Sequence, residues 1–446
     1  MSRRRRRVRG ALVGIALLAA ACAGPPRGSP PTPAGGPTRE VLPNGAVVIV
    51  HEHRASEVVA LQLWLRVGAR DEAPDELGLS HYLEHMLFKG TPTRPPGAID
   101  HLVEGLGGRS NAFTTQDFTH FDLLLPAAHL RTGIELLADV AVNARLDPAE
   151  LDAEKQVVLE EMRLTEDDSE RYLLRRLYEA VYAPHPYGRP ILGTPALIRA
   201  LTRERLHAYY TRYYVPRNMV LVIVGAVDPT EARHLARAAF GRLGGGEGRR
   251  PSVPPVPPTD TPRHVDVPRP GRQAYLGLAW RAAATSHADV YAVDLLTYVL
   301  GDGPTSRLNR ILRERERLVY AIEAGYGAWA LGGAVTVTAR LDPANLERAE
   351  RAILEVVRGL QADGVTEAER TRALVTAEAT YVFDIETAEG LAKTYGQAET
   401  TWTLEDELQY LARLRRVTAG EIQAAARRYL GERYARVRFV PEGGGR

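Results

Sequence analysis

The stretch Gly78-Leu79-Ser80-His81-Tyr82-Leu83-Glu84-His85-Met86-Leu87-Phe88-Lys89-Gly90-Thr91 decides how the rest of this chain is read. Leu79, Tyr82, Leu83, Met86 and Leu87 recur at spacings of three and four. That spacing predicts an amphipathic helix from about Glu76 to Phe88, ended by Gly90. Residues four apart lie one above the other on a helix, so His81 and His85 can offer their imidazoles to one metal ion. Glu84 sits beside them. A zinc ion held by three protein ligands keeps a fourth position for water, and a neighbouring carboxylate can take that water's proton as it attacks a carbonyl. The motif supplies two ligands and a base, and lacks one ligand.

Further along, the turn signal Asp147-Pro148 precedes a run rich in helix formers from Ala149 to about Glu166, with apolar Val157, Val158, Leu159 and Met162. A second helix is expected there. Glu154 and Glu161 are seven residues apart, nearly two turns, so they point the same way, whereas Glu160 points elsewhere. A carboxylate on a partly apolar face is costly to bury unpaired. These glutamates are therefore either solvated or meet a cation, and a zinc ion would satisfy that requirement.

An HxxEH motif followed, 76 residues after its second histidine, by a helix glutamate resembles the inverted-motif zinc peptidases of the pitrilysin, insulinase and mitochondrial-processing-peptidase family. The resemblance implies zinc on His81, His85 and Glu161, Glu84 as the catalytic base, and Glu154 as a support for the site. Gly68-Ala69-Arg70-Asp71-Glu72 and Phe88-Lys89-Gly90-Thr91 look like the family's flanks of the motif. Gly107-Gly108-Arg109-Ser110-Asn111-Ala112-Phe113-Thr114 resembles its substrate-binding edge strand, where Asn111 and Ala112 would meet a peptide bound through backbone groups. His185-Pro186-Tyr187-Gly188 through Gly193-Thr194, and Tyr214 to Met219 leading into Val220 to Gly225, are similar to the segments that close its first domain. In the second half, Ser306-Arg307-Leu308 and Leu312 to Tyr320 resemble its arginine and tyrosine motif. Arg313 and Tyr320 take the two positions implied to contact the substrate backbone and the developing oxyanion. The family often has glycine where Arg317 stands.

The chain has 446 residues, 45% hydrophobic and 25% charged, which excludes a disordered or fibrous protein and leaves room for two domains. Residues 1 to 22 hold six of the 57 basic residues and no acid; the remaining 51 face 55 acidic residues, a net −4 that argues against nucleic acid as the main partner. Arg3 to Arg9 followed by apolar Ala11 to Ala21 reads as a signal peptide, too short for a spanning helix. Leu17 to Cys22 resembles a bacterial lipoprotein cleavage site, with alanine rather than leucine three before Cys22. The resemblance implies lipidation of Cys22 and a periplasmic enzyme anchored to the outer membrane of a Gram-negative cell. Cys22 is the only cysteine, so an intramolecular disulfide and a thiolate zinc site are excluded.

Domain limits follow from composition. Residues 1–22 form the signal peptide and 23–38 a flexible Gly/Pro/Ser-rich tether; 39–243 form the zinc-binding domain, 244–263 a Gly/Pro-rich linker and 264–442 a second, similar domain. The expected fold is α+β, with two homologous domains, each a mainly antiparallel sheet packed by helices. The duplication is hinted at by Asp294 to Gly301, which sits where the metal helix sits in the first domain but has no histidine. His51 and His53 alternate on an expected strand without a partner cluster and read as surface residues.

Read together, these features point to a zinc-dependent metalloendopeptidase acting on peptides or unfolded segments. Two alternatives remain: a noncatalytic scaffold or processing-partner subunit, and a lipid-anchored peptide-binding module with structural zinc. Complete enzymes of the family enclose their substrate between two halves of about this chain's size. The resemblance therefore implies a homodimer, or a heterodimer with a similar chain, leaving Arg313 and Tyr320 free to act within one chain or across the pair.

Overall fold

The computed structural model describes residues 35–258 and 261–442; Cys22 and the tether up to residue 34 lie outside them. From Pro37 onward the described residues form one compact unit built around two sheets. The first contains β1 (Thr38–Val41), β2 (Val47–Glu52), β3 (Val58–Leu65), β4 (Arg109–Thr114), β5 (Thr119–Pro126) and β6 (Met219–Gly225) in the order β1-β2-β6-β3-β5-β4. The second contains β7 (Arg263–Arg269), β8 (Ala274–Ala282), β9 (Val319–Trp329), β10 (Gly332–Leu341) and β11 (Ala435–Pro441) in the order β7-β11-β8-β10-β9. Leaving out β1, the two orders superimpose strand for strand. The β2/β6 and β7/β11 pairs are both parallel and the other pairs antiparallel. The duplication expected from the sequence is a duplication of topology.

The helices repeat the pattern. The first half carries α1 (Leu79–Leu87), α2 (Ala98–Gly105), α3 (Leu130–Asn143), α4 (Pro148–Asp167), α5 (Ser169–Tyr182), α6 (Pro195–Arg199), α7 (Arg203–Tyr213) and α8 (Pro229–Phe240). The second carries α9 (Val290–Leu300), α10 (Leu346–Asp363), α11 (Glu367–Asp384), α12 (Ala388–Thr401), α13 (Leu404–Leu408), α14 (Tyr410–Leu414) and α15 (Ala419–Tyr429). The α+β fold with two similar halves is thus the one expected. Helix α1 starts three residues later than its apolar spacing suggests because Gly78 adopts the left-handed region, with φ 94°.

Two helices cross between the halves. Leu391, Ala392 and Tyr395 of α12 pack on Ile49, Trp64, Val220 and Val222 of the first sheet. Reciprocally, Leu173, Leu177 and Val181 of α5 pack on Ala279, Val437 and Phe439 of the second. Gly396 of α12 lies so close to Trp64 that a Cβ there would fall 2.0 Å from the indole nitrogen. This contact corrects the reading of His51. It is buried rather than superficial, and its Nδ1 lies 2.9 Å from the Tyr395 hydroxyl.

A buried polar network adds a second junction. Asp117 accepts from the Arg70 guanidinium, from the Tyr187 hydroxyl at 2.7 Å and from the backbone N–H of Ala330 in the β9/β10 turn at 2.8 Å. Residues 244–258 carry no helix or strand but are strapped down: Arg250 makes a bidentate pair with Asp71, and the Pro254 carbonyl meets His185 Nε2 at 2.9 Å. The segments around Arg70 and Tyr187 therefore hold the halves together.

The turn at Arg317 explains the glycine expected there. A short π-helical turn, Asn309–Arg315, ends with the Leu318 N–H donating to the Leu312 carbonyl at 2.8 Å and Arg317 in the left-handed region at φ 53°. A side chain pays roughly 1–2 kcal/mol for that conformation. Arg317→Gly should raise the thermal midpoint by a few degrees in a melting experiment; a fall would show that the arginine side chain itself stabilises the turn.

Candidate metal centre

Helix α1 owes its position to what meets its start and its inner face. The Glu72 carboxylate accepts from the N–H groups of Gly78 and Ser80, at 2.9 and 2.8 Å, and so satisfies donors at the helix start. Gly193 approaches this turn so closely that a Cβ on it would lie 2.3 Å from the Leu77 carbonyl oxygen. Leu79, Leu83, Met86 and Leu87 enter the core, and the Tyr82 hydroxyl donates to the Leu151 carbonyl of α4. The opposite face, with His81, Glu84 and His85, is left toward α4. Asp147 caps α4 through the Ala149 N–H, and Leu151, Val158 and Met162 bury its inner side.

The two helices bring five sequence-predicted residues together. Glu161 Oε2 lies 3.4 Å from His81 Nε2 and 3.5 Å from His85 Nε2. Glu154 Oε1 takes the other side of His85, 2.8 Å from Nδ1. Glu84, one residue before His85, is half-buried beside them. His81 lies at the buried back of the group, while the Glu161 side chain is 42% exposed and marks the open side.

The charge distribution favours a cation. Burial works against charge on His85, but its bonds to Glu154 and Glu161 prevail and push it up to about 9. Those same contacts with His85 hold Glu154 and Glu161 below the usual carboxylate range. Burial, with the nearby His85 charge, takes His81 down to about 4. Burial raises Glu84 to about 7, against the pull of the Thr114 hydroxyl. The cluster therefore concentrates negative charge around two imidazoles.

A zinc ion fits these donors. Two imidazole nitrogens and a carboxylate oxygen form one of the ligand sets of catalytic zinc, and ligands about 2.0–2.1 Å from a tetrahedral centre lie roughly 3.4 Å apart. The observed 3.4 and 3.5 Å separations agree, and the three ligand atoms lie within 4.8 Å of one another. Among the described residues this is the one group of three or more such side chains that could hold a metal.

Three neighbours were not singled out from the sequence. Thr114, the last residue of β4, donates its hydroxyl to Glu84 Oε2 at 2.5 Å. Lys89 Nζ lies 2.9 Å from Glu154 Oε2, so Glu154 links a lysine to His85. Glu72 caps the helix. The signals were present: Thr114 ends the Asn111-Ala112-Phe113-Thr114 segment, and Lys89 follows His85 by four residues.

Asn111 is exposed and Ala112 half-buried on β4, the open edge of the first sheet. Arg313 and Tyr320 lie elsewhere. The nearest acidic partner of Arg313 is Glu314 at 3.9 Å, Tyr320 is 52% exposed on β9, and among the described residues no hydrogen bond or ion pair joins either to the histidine cluster. A cavity of about 490 Å3 lies between the start of α5 and the second sheet. Arg171 borders it, and its charge helps to keep the Glu161 pKa down.

The chain is similar to known proteins in sequence and in fold. Residues 47–195 match the model of the insulinase family, peptidase family M16, and residues 200–375 match that of the M16 inactive domain. An uncharacterized zinc protease of Mycobacterium tuberculosis is 32% identical over 425 residues, covering 94% of this chain and 97% of the relative. A Bacillus subtilis uncharacterized zinc protease is 26% identical over 406 residues, covering 91% and 98%. A protease from Helicobacter pylori shares the fold with a TM-score of 0.87 at 24% identity, over 91% of this chain and 99% of that one. An M16 inactive domain from Pseudomonas fluorescens does so with a TM-score of 0.83 at 19% identity, over 91% and 98%.

Glu154 offers a direct test of the cluster. Glu154→Gln should weaken zinc binding by about 10–100-fold, the usual effect of losing a carboxylate behind a ligating histidine, measured by competition with a chromophoric chelator. Unchanged affinity would restrict Glu154 to its pairing with Lys89.

Proposed function

The chain belongs to the insulinase family of peptidases, M16, and from that premise we propose that it is a zinc-dependent metalloendopeptidase hydrolysing peptides or unfolded protein segments. The observation that carries the proposal is the convergence of His81, His85 and Glu161 with Glu84 beside them. His81, His85 and Glu161 would hold zinc, which when bound supplies Lewis acidity toward water and a peptide carbonyl. Glu84 accepts the proton of the attacking water and passes it to the leaving amine. The Thr114 hydroxyl holds one Glu84 oxygen in place, leaving the other for that exchange. Glu154 and Lys89 orient His85.

Peptide binding is assigned to the open edge of β4, with Asn111 and Ala112 along it. There an extended chain can add as a further strand through backbone hydrogen bonds, with tolerance for its side chains. Because Thr114 belongs to the same strand, binding there places peptide bonds near Glu84. The match of residues 200–375 to the inactive-domain model supports confining the hydrolytic groups to the first half.

The exposure of Arg313 and Tyr320 supports a role across a pair of chains, in a homodimer or with a similar partner, at the oxyanion of the other site. For location, the basic and apolar residues 1–22 and Cys22 support a lipid-anchored enzyme in the periplasm, at the outer membrane of a Gram-negative cell.

Glu84→Gln should retain zinc and lose cleavage of an unstructured peptide by at least about 100-fold, the range of general-base catalysis, while a chelator abolishes the wild-type activity. Normal turnover by this variant would remove Glu84 from the mechanism. Mixing Glu84→Gln chains with Arg313→Ala chains should restore activity that neither has alone; a mixture as inactive as its components would place Arg313 in its own chain's site or outside catalysis.

A further inference from the structure

The second half contains a cavity of about 310 Å3 between α9, α11, α12 and the α13–α14 segment. Three carboxylates line it: Asp294 on α9, Glu407 on α13 and Asp384 at the end of α11. Glu407 is only 9% exposed, whereas Asp384 is exposed and stands at the solvent side. The walls are aromatic. The Tyr381 and Tyr410 rings stack with centroids 5.3 Å apart and 24° between planes, and Trp402 continues the wall.

What sets this cavity apart is the missing counter-charge. Several buried carboxylates elsewhere meet arginines: Glu350 meets Arg436 and Arg438, Glu399 meets Arg39 and Arg66, and Asp117 meets Arg70, while Glu72 is satisfied by the N–H groups of Gly78 and Ser80 at a helix start. Among the described residues no Arg, Lys or His borders the cavity. Among the described residues Asp294 accepts from the Tyr410 hydroxyl alone, and Glu407 faces the Tyr381 phenol. Burial pushes Asp294 up to about 6 and Glu407 up to about 7. A cation entering the cavity would relieve that cost.

The lining selects the kind of cation. A metal ion prefers several convergent oxygen or nitrogen ligands, and Asp294, Glu407 and Asp384 do not form such a cluster. Stacked phenol rings and an indole favour a flatter, weakly hydrated organic cation through ring-face attraction, with carboxylates at its head. The volume is at the small end of ligand pockets, enough for one side chain rather than a large molecule.

We propose that this cavity is a binding site for a guanidinium or alkylammonium group on a flexible stem, with Asp294 and Glu407 pairing the cation and Tyr381, Tyr410 and Trp402 packing the stem. An arginine or lysine side chain of a peptide and a free polyamine share that chemistry. The site is separate from the histidine cluster, and its occupation does not depend on the peptidase reading.

Calorimetric titration of the full chain with three probes tests the proposal: acetyl-Gly-Gly-Arg-Gly-amide, the same peptide with citrulline in place of arginine, and spermidine. At least one of the two cationic probes should bind at least tenfold more tightly than the citrulline peptide. Binding of the arginine peptide alone assigns peptides as ligands, and binding of spermidine alone assigns free amines. The double variant Asp294→Asn/Glu407→Gln should weaken cation binding at least tenfold while keeping or raising the thermal midpoint, because it removes buried charge that has no cationic partner. Equal binding of cationic and citrulline probes to the wild type overturns the proposal without recourse to any variant. So does cation affinity that survives the double substitution in a folded protein.

Discussion

Among the described residues neither sheet covers both of its faces with helices from its own half, and the rest of the structure depends on how that deficit is met. Strands β2, β3 and β6 are buried along nearly their whole length, which requires apolar cover on two sides. Helices α3 and α8 cover one side and α12, from the other half, covers the second. The exchange is reciprocal, since α5 leaves the first half to cover the second sheet. Burying a large apolar side chain contributes about 1.5–3 kcal/mol, so Leu391 and Tyr395 on one side and Leu173 and Leu177 on the other give each half a large share of its stability through its neighbour. The Asp117 network and the strap around Arg250 reinforce a junction that hydrophobic burial creates.

This arrangement reaches the metal centre through chain continuity. Helix α4, which carries Glu154 and Glu161, is followed directly by α5, with Asp168 between them capping α5 through the N–H groups of Glu170 and Arg171. The helix that presents Glu161 to the histidines is thus anchored at one end by α1, through Tyr82 and Leu151, and at the other by a helix lying on the opposite half's sheet. Among the described residues the second sheet supplies no ligand, but α5 joins it in the chain to the helix that carries Glu161. This connection makes the second half part of the site's scaffold.

Part of the centre was legible from spacing, and the roles of Glu161 and Glu154 in it came with the family resemblance. The i, i+4 histidines and the seven-residue interval between Glu154 and Glu161 are local helical geometry, and helical geometry survives folding almost unchanged. The edge position of β4 also matched its reading. What could not be read were contacts between residues far apart in sequence. His51 looked superficial because nothing near it in the chain announces Tyr395, 344 residues away. Helices α5 and α12 are amphipathic, but their periodicity does not say whose sheet they cover. The Asn111 to Thr114 segment was recognised for its strand, while the bond from Thr114 to Glu84 belongs to tertiary geometry. Arg317 was intermediate: its oddity was visible as an arginine in a glycine's place, and its cause, a left-handed turn, required the backbone.

The duplicated topology sharpens the contrast between the halves. Helices α1 and α4 of the first half correspond in order to α9 and α11 of the second, and each pair frames polar side chains that a purely structural helix contact would not need. In the first half, two imidazoles and a carboxylate converge closely enough to share one ion. In the second, carboxylates line a wider, aromatic space without converging, and tyrosines take the places beside them. Once the histidines are gone, acidic side chains at a helix contact have no fixed cation to balance them, and protein interiors normally remove such groups or pair them with arginine. This protein, with 57 basic residues of which only three are lysine, pairs several of its other buried acids with arginine, among them Glu350 and Glu399. Asp294 and Glu407 meet only tyrosine hydroxyls among the described residues beside an open cavity, and the economical account is a cation supplied from outside the chain.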